Sequence, residues 1–245
     1  SLIKNRHFKD LESDDKRALW AYIFSIRLVR SEVERELIVK MFLRLNSNNM
    51  TLNPQELRNA EFEGEFMTLA STLSELEFWD KNKIFGVADR RRMRDISFIS
   101  TLLVFMKRGI SEDIANTNLN QIYDLYNDEY PDKEKDQEKF ESILNEIEPL
   151  ISTNTERMKL LGRQVHFYSL FTVLYEILSE QDNLTDEQIL NYQNFIDNYD
   201  NDEVLGKYFS DMMPEIYQYK SLSKEGTRQK SNRFERYRIL KKIIK

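Results

Sequence analysis

Cysteine is absent from this sequence, and its 245 residues include only 2 histidines, 4 prolines and 6 glycines. Without cysteine there is no disulfide scaffold, no thiol nucleophile and no cysteine-ligated zinc or iron–sulfur centre. His7 and His166 have no metal-ligand partner at i+4, and no nucleophile elbow stands near either to build a hydrolytic triad. His166 lies in an apolar helical run, the usual setting of a satisfied core or edge histidine. No two glycines are closer than Gly206 and Gly226, which are 20 positions apart, so there is no Gly-rich phosphate loop. Glu61, Glu63 and Glu65 alternate at a spacing of two, which is wrong for sharing one helix face. The longest apolar stretch, Ile96 to Met106, contains two serines and a threonine and is well short of the ~20 residues that span a bilayer. No basic-then-apolar signal opens the chain. These absences point to a soluble, cytoplasmic protein with no catalytic or metal site of its own. The first residue is Ser1, so the expectation is a fragment of a longer chain.

Scarce turn-formers mean few hairpins, and the expected fold is mainly α, a multi-helix bundle with one or a few short N-terminal strands. Residues 21–29, AYIFSIRLV, are rich in β-branched and aromatic side chains and apolar on both faces, which favours a buried strand. A helix is the competing reading, with Asp14 and Asp15 capping a run through Leu19, Tyr22 and Ile26. Three capping boxes mark helix starts: Ser31 with Glu34, Asn53 with Glu56 (Pro54 at the first helical position), and Thr185 with Gln188. Helical stripes follow at Val33–Leu37–Ile38–Met41, at Phe66–Leu69–Ala70–Leu73–Leu76 and at Phe140–Ile143–Leu144–Ile147–Ile151. The most apolar helix is predicted from Arg90 to Arg108, ended by Gly109 in the αL region. A strongly apolar helix is predicted over Val165–Leu178. Residues 202–219 read as one or two short helices broken at Pro214, 221–232 as a mobile loop, and Arg233–Lys245 as a short basic helix. The division expected is 1–64, 65–219 and 220–245.

The net charge of −6 conceals an asymmetry. Residues 220–245 hold ten basic and two acidic side chains, a net +8, which leaves −14 on the other 219. One reading of that basic end is a solvated helix paired with the acidic body. The other is contact with nucleic-acid phosphates through counterion release, carried by Arg228, Lys230, Arg233, Arg236, Arg238, Lys241 and Lys242. A second cluster, Arg90, Arg91, Arg92 and Arg94, stands at a predicted helix N-terminus, where positive charge opposes the dipole. Ion pairs with nearby carboxylates are the expected compensation.

One stretch rises above this background: Phe42-Leu-Arg-Leu-Asn46, followed after six residues by Asn53-Pro-Gln-Glu-Leu-Arg-Asn-Ala60. Arg44 and Arg58 each offer a planar fork of donors suited to carboxylate or phosphate. Asn46 can satisfy carbonyls at a helix end, and Glu56 can cap its own helix or pair with an arginine. Gln55 and Asn59, four apart, share a helix face. These groups either clamp a helix–loop–helix corner or handle phosphate. The stretch resembles the F-x-R-L-N … Q-E-L-R-N-A segment of the GmrSD-type restriction family's N-terminal domain, a ParB/sulfiredoxin-like module of bacterial defence proteins. Phe62, Gly64 and the closing Arg233, Arg236 and Arg238 are similar to that family's layout. The resemblance implies an α+β module from an NTP-dependent protein acting on modified foreign DNA. Its NTP and Mg²⁺ would be the cofactors, and Arg44, Asn46, Gln55, Glu56, Arg58 and Asn59 would be the nucleotide or phosphate contacts. The family's Asp-Gly-Gln-Gln-Arg motif and His-Asn-His nuclease are absent from these residues, so the implied fragment is inactive alone. The alternative is a non-catalytic helical module that binds nucleic acid or protein.

Overall fold

The computed structural model describes residues 8–26, 28, 33, 34, 37, 38, 40, 41, 44, 52–112, 114–151 and 155–245. The chain divides into two compact units, Ser1–Asn48 and Asn49–Lys245. Among the described residues the regular structure is helical and contains no strand.

In the first unit a 3₁₀ turn, Phe8–Asp10, precedes α1 (Ser13–Trp20). Asp14 and Asp15 lie in the first turn of α1, where they complement its dipole. Phe8 and Trp20 meet edge to face at 6.1 Å. The helix stops at Ala21, short of the run to Ile26 that the competing reading required. Residues 22–26 and 28 take neither helix nor strand. A strand is defined by its ladder, and no second strand stands beside this segment among the described residues; Ile23, Phe24 and Ile26 are exposed. Residues 27 and 29 of the expected strand lie outside the described set. Residues 37, 38, 40, 41 and 44 are helical, and the Glu34 carbonyl accepts from the Leu37 and Ile38 amides. Ser31, its expected cap, lies outside the described residues.

The second unit is built around two helices, α6 (Arg94–Arg108) and α10 (Gln164–Glu180). Both are apolar on nearly every side, which suits helices surrounded by others. Ile99, Leu102 and Leu103 of the first and Phe167, Leu170, Phe171, Val173 and Leu174 of the second are wholly buried. The surrounding helices are α2 (Pro54–Glu61), α3 (Glu65–Ser74), α4 (Glu77–Lys81), α5 (Val87–Arg91), α7 (Asn116–Leu125), α8 (Lys133–Ile151), α9 (Thr155–Leu161), α11 (Asp186–Asp197), α12 (Asp202–Tyr208), α13 (Met213–Leu222) and α14 (Lys230–Ile244). α3 packs on α6 and α8, while α14 packs on α10, α11 and α13. The basic end is therefore part of the core: Ile239, Leu240, Ile243 and Ile244 are all buried.

The capping boxes of α2 and α11 form as read. At α2 the Asn53 Oδ1 accepts from the amides of Gln55 (2.8 Å) and Glu56 (3.0 Å), and Glu56 returns to the Asn53 amide at 2.7 Å. Pro149 does not end α8 early; the helix continues to Ile151. Pro214 opens α13 instead of breaking a helix, because a first-turn proline has no intrahelical N–H to lose. Gly109 ends α6 with φ +80° but ψ 177°, so the chain leaves extended and not in αL. The single helix expected over Arg90–Arg108 is two, α5 and α6, with Met93 between them at φ +52°. A non-glycine residue there costs on the order of 1 kcal/mol, and the break redirects the arginines on either side of it.

His166 is buried on α10. Its Nδ1 lies 3.2 Å from the Tyr219 hydroxyl, and its Nε2 has no hydrogen-bond partner. Burial, with Arg163 and Arg236 nearby, lowers its pKa from 6.5 to about 3. The unfolded chain therefore takes up a proton below pH 6.5 that the folded chain refuses until about pH 3. Stability conferred by neutral His166 is complete above pH 6.5 and is lost as pH falls through that window, by up to ~1.4 kcal/mol per unit. Thermal melts of His166→Phe between pH 7 and 4 should therefore show a shallower acid loss than wild type. Parallel profiles would exclude His166 as the source.

Candidate functional site

The second unit contains a cavity of about 380 Å³ framed by α2, α6, α10, α14 and the loop before α14. Its charged lining residues are six arginines: Arg58, Arg92, Arg94, Arg228, Arg233 and Arg236. No carboxylate is among the described lining residues. Phe98, Ile114, Val165 and Tyr168 supply an apolar wall.

Arg58 reaches the cavity from α2 and is 2% exposed. Its Nε donates to Gln55 Oε1 (2.9 Å) and its Nη1 to Asn120 Oδ1 (3.1 Å) and Asn116 Oδ1 (3.4 Å). The Gln55 amide in turn donates to the Tyr123 hydroxyl at 2.9 Å, and that hydroxyl meets Ser100 Oγ at 2.6 Å. The guanidinium carbon stands 5.6 Å from the centre of the Tyr123 ring. Every one of these partners is neutral. The guanidinium also interacts with the Tyr123 hydroxyl. Burial draws the Arg58 guanidinium below its ordinary pKa; Tyr123 opposes this and Arg228 adds to it. It stays protonated regardless, since a guanidinium does not deprotonate in proteins.

α14 supplies the opposite side. Arg233 donates to the Tyr168 hydroxyl (2.9 Å) and to the carbonyls of Arg228 (3.2 Å) and Glu112, and its guanidinium lies 5.7 Å from the Tyr168 ring centre. Arg236 donates to the carbonyls of Leu222 (2.9 Å) and Thr227 (2.7 Å) and to Ser169 Oγ at 3.3 Å. Both are buried, and neither has a carboxylate partner among the described residues. Burial again lowers the Arg236 pKa, with Tyr219 and Tyr168 opposing and Arg233 adding. Taking a cation out of water costs several kcal/mol unless a counter-charge accompanies it. Here three buried cations share one cavity with only neutral partners, and Arg228 stands at its rim. The remaining two arginines are compensated: Arg92 lies 3.2 Å from Glu56 and Arg94 3.5 Å from Asp89. Such an arrangement attracts an anion with several oxygens, because each arginine can present a planar fork to phosphate.

No protein-family model matches the chain, and neither does any curated protein or solved structure.

The residues read from the sequence divide sharply in space. Gln55 and Arg58 of the motif meet Arg228, Arg233 and Arg236 of the basic end around one cavity. Glu56 serves as a cap and pairs with Arg92. Asn59 is exposed and does not share Gln55's place: the partner of Gln55 is Arg58, three residues on and not four. Arg44 is exposed in the first unit, and Asn46 lies outside the described residues. Lys230 is exposed at the start of α14, away from the lining. Of the other basic residues of α14, Arg238 pairs with Glu235 on the same helix, while Lys241 and Lys242 pair with Glu176 and Glu215 of the acidic body. Arg233 and Arg236 are thus not an open DNA-facing arm, since their guanidiniums bind backbone inside the fold. A signal for this was present in the sequence. Arg233 and Arg236 fall at helical spacing with Leu240 and Ile243, on the stripe that α14 buries. Arg90 is paired with Asp80 at 2.6 Å, as expected of the second cluster. Sequence reasoning missed the orienting role of Asn116, Asn120 and Tyr123, which carry no motif.

Among the described residues no group of three or more His, Cys, Asp or Glu is placed to hold a metal ion. No helix among them is long and apolar enough to cross a membrane.

Proposed function

We propose that the second unit binds phosphate groups, as the non-catalytic part of a nucleotide- or DNA-handling protein of the GmrSD type. The observation that carries the reading is the convergence of Arg58, Arg228, Arg233 and Arg236 on one cavity without carboxylate partners among the described residues. Arg58 and Gln55 belong to the stretch that resembles that family, which is the second support. The chemistry on offer is binding and orientation. Arg58 is held by Gln55, Asn116 and Asn120 and lines the cavity that would receive the ligand. The lining has no carboxylate or histidine among the described residues to move a proton, so turnover is not part of this proposal. The cavity suits the phosphates of a nucleotide and offers Mg²⁺ no carboxylate ligand among the described lining residues, and no step is assigned to the metal. The same reading makes the location cytoplasmic, with DNA or NTP as partner.

Isothermal titration with sodium pyrophosphate at low salt tests it. Wild type should bind, and Arg58→Gln should bind about 10- to 100-fold more weakly, the value of one to two charge-assisted hydrogen bonds. Circular dichroism of the variant checks that the helices persist. Equal affinity in the two proteins, or no binding by wild type at any salt concentration, would overturn the proposal.

A further inference from the structure

The loop 223–229 joins α13 to α14 and carries Arg228 to the rim of the cavity. Its backbone is held from α14. Arg236 grips the carbonyls of Leu222 and Thr227, Arg233 that of Arg228, and Asn232 those of Glu225 (3.3 Å) and Gly226 (3.2 Å). Gly226 turns the chain at φ +59°, a conformation that side chains rarely adopt. A path pinned so closely would serve little purpose if Arg228 were an ordinary surface residue. Its side chain is exposed and has no ion pair among the described residues, and it lines the same cavity as the cationic Arg58. The loop thus holds a cation at the edge of a site that already contains three others.

We propose that the exposed side chain of Arg228, on its pinned loop, is the closing wall of the site: it folds onto a ligand carrying two or more phosphate groups, which bridges it to Arg58 across the cavity. This rests on the phosphate-binding reading above and adds the class of ligand and the closing element. The charge arithmetic selects the ligand. Four guanidiniums lack a carboxylate partner among the described residues, and a single phosphate brings at most about −2. A second phosphate is needed to neutralise the site and reverse the repulsion between Arg58 and Arg228. A cavity of about 380 Å³ is within the ordinary range for small-molecule sites and larger than one phosphate requires.

Trypsin reads the position of Arg228 directly, because it needs that side chain in its own pocket. The intact chain would be digested with no addition, with inorganic phosphate, or with pyrophosphate. An unfolded arginine peptide in the same tube controls for inhibition of the protease. Pyrophosphate should slow cleavage after Arg228 about 10-fold or more, with a smaller effect after Lys224, and phosphate at equal occupancy should not. In titrations, Arg228→Gln should bind pyrophosphate about 10-fold more weakly, with affinity falling to that for phosphate, and Arg228→Lys should recover part of the difference. If pyrophosphate raises the melting temperature but leaves cleavage after Arg228 unchanged, the closing wall is refuted while the site stands. Undiminished preference for pyrophosphate in Arg228→Gln refutes it too. If neither ion shifts the melting temperature, the phosphate site itself fails, and this proposal with it.

Discussion

Gly64→Ala is expected to lower the stability of the second unit by about 3–5 kcal/mol, although it adds one methyl group. The reason is a backbone contact. A Cβ built on Gly64 would lie 2.0 Å from the Asn127 carbonyl oxygen and 2.4 Å from its Cα. Neither is the tip of a flexible side chain that can rotate aside. Gly64 has φ −82°, which any residue adopts, so the effect is steric and owes nothing to glycine's conformational freedom. Relief requires α3 to move away from the end of α7. That movement would stretch the hydrogen bonds from the Glu65 amide to Asn127 (2.9 Å) and from the Phe66 amide to Tyr126 (3.1 Å). It would also disturb Phe66, which is wholly buried, meets Tyr123 edge to face and stacks with Tyr126 and Tyr130. For a unit of this size the loss corresponds to a melting temperature lower by about 10 °C. A thermal melt within 2 °C or so of wild type would show that the two chain segments can part at little cost.

Trp79→Ala should cost about 3–5 kcal/mol, by a different route. Trp79 is wholly buried on α4, with its ring 5.1 Å from Phe78, 5.0 Å from Phe85, 6.4 Å from Phe140 and 5.3 Å from Phe167. These rings come from α4, the turn before α5, α8 and α10, so the indole joins elements far apart in sequence. Its Nε1 donates to the Leu73 carbonyl at 2.6 Å, at the end of α3. Alanine would leave a cavity and an unpaired acceptor together. Trp79→Phe separates the two contributions. It keeps most of the ring packing, loses the donor, and should cost about a third to a half as much. Denaturant melts with unchanged slope would measure both. Equal losses in the two variants would show that the hydrogen bond, not the packing, holds this part of the core.

Much of the second unit was legible as a list of helices. Asn53 with Glu56 and Thr185 with Gln188 cap where the pattern put them, because a capping box is local chemistry completed within four residues. The stripe of Phe140, Ile143, Leu144 and Ile147 is buried as spaced. The breaks were harder to read. The break at Met93 has no glycine to announce it, and the contact beside it, from the Asn53 side-chain amide of α2's cap to the Arg92 carbonyl at 2.7 Å, joins residues 39 apart in sequence. The loop expected over 221–232 is shorter, since Ser221 and Leu222 complete α13 and Lys230 to Asn232 form the first turn of α14, ahead of the buried stripe that begins at Arg233. The N-terminal strand is the reading most dependent on partners. Its residues have the propensity, but a ladder needs a second strand that a propensity cannot supply.

By itself the sequence determined that this is a helical chain with an acidic body and a basic end, without thiol chemistry or a glycine-rich phosphate loop. Helices follow from short-range spacing and caps, and charge totals follow from composition, so both can be read along the chain. Only the tertiary structure decided what the basic residues do. Lys241 and Lys242 neutralise the body, whereas Arg233 and Arg236 enter the core and meet Arg58 around a cavity. A guanidinium counts as the same charge in a composition whether water or carbonyl oxygens surround it. Which surroundings it receives depends on how α2, α10 and α14 pack, and that is set by apolar contacts between elements that the order of residues does not place side by side.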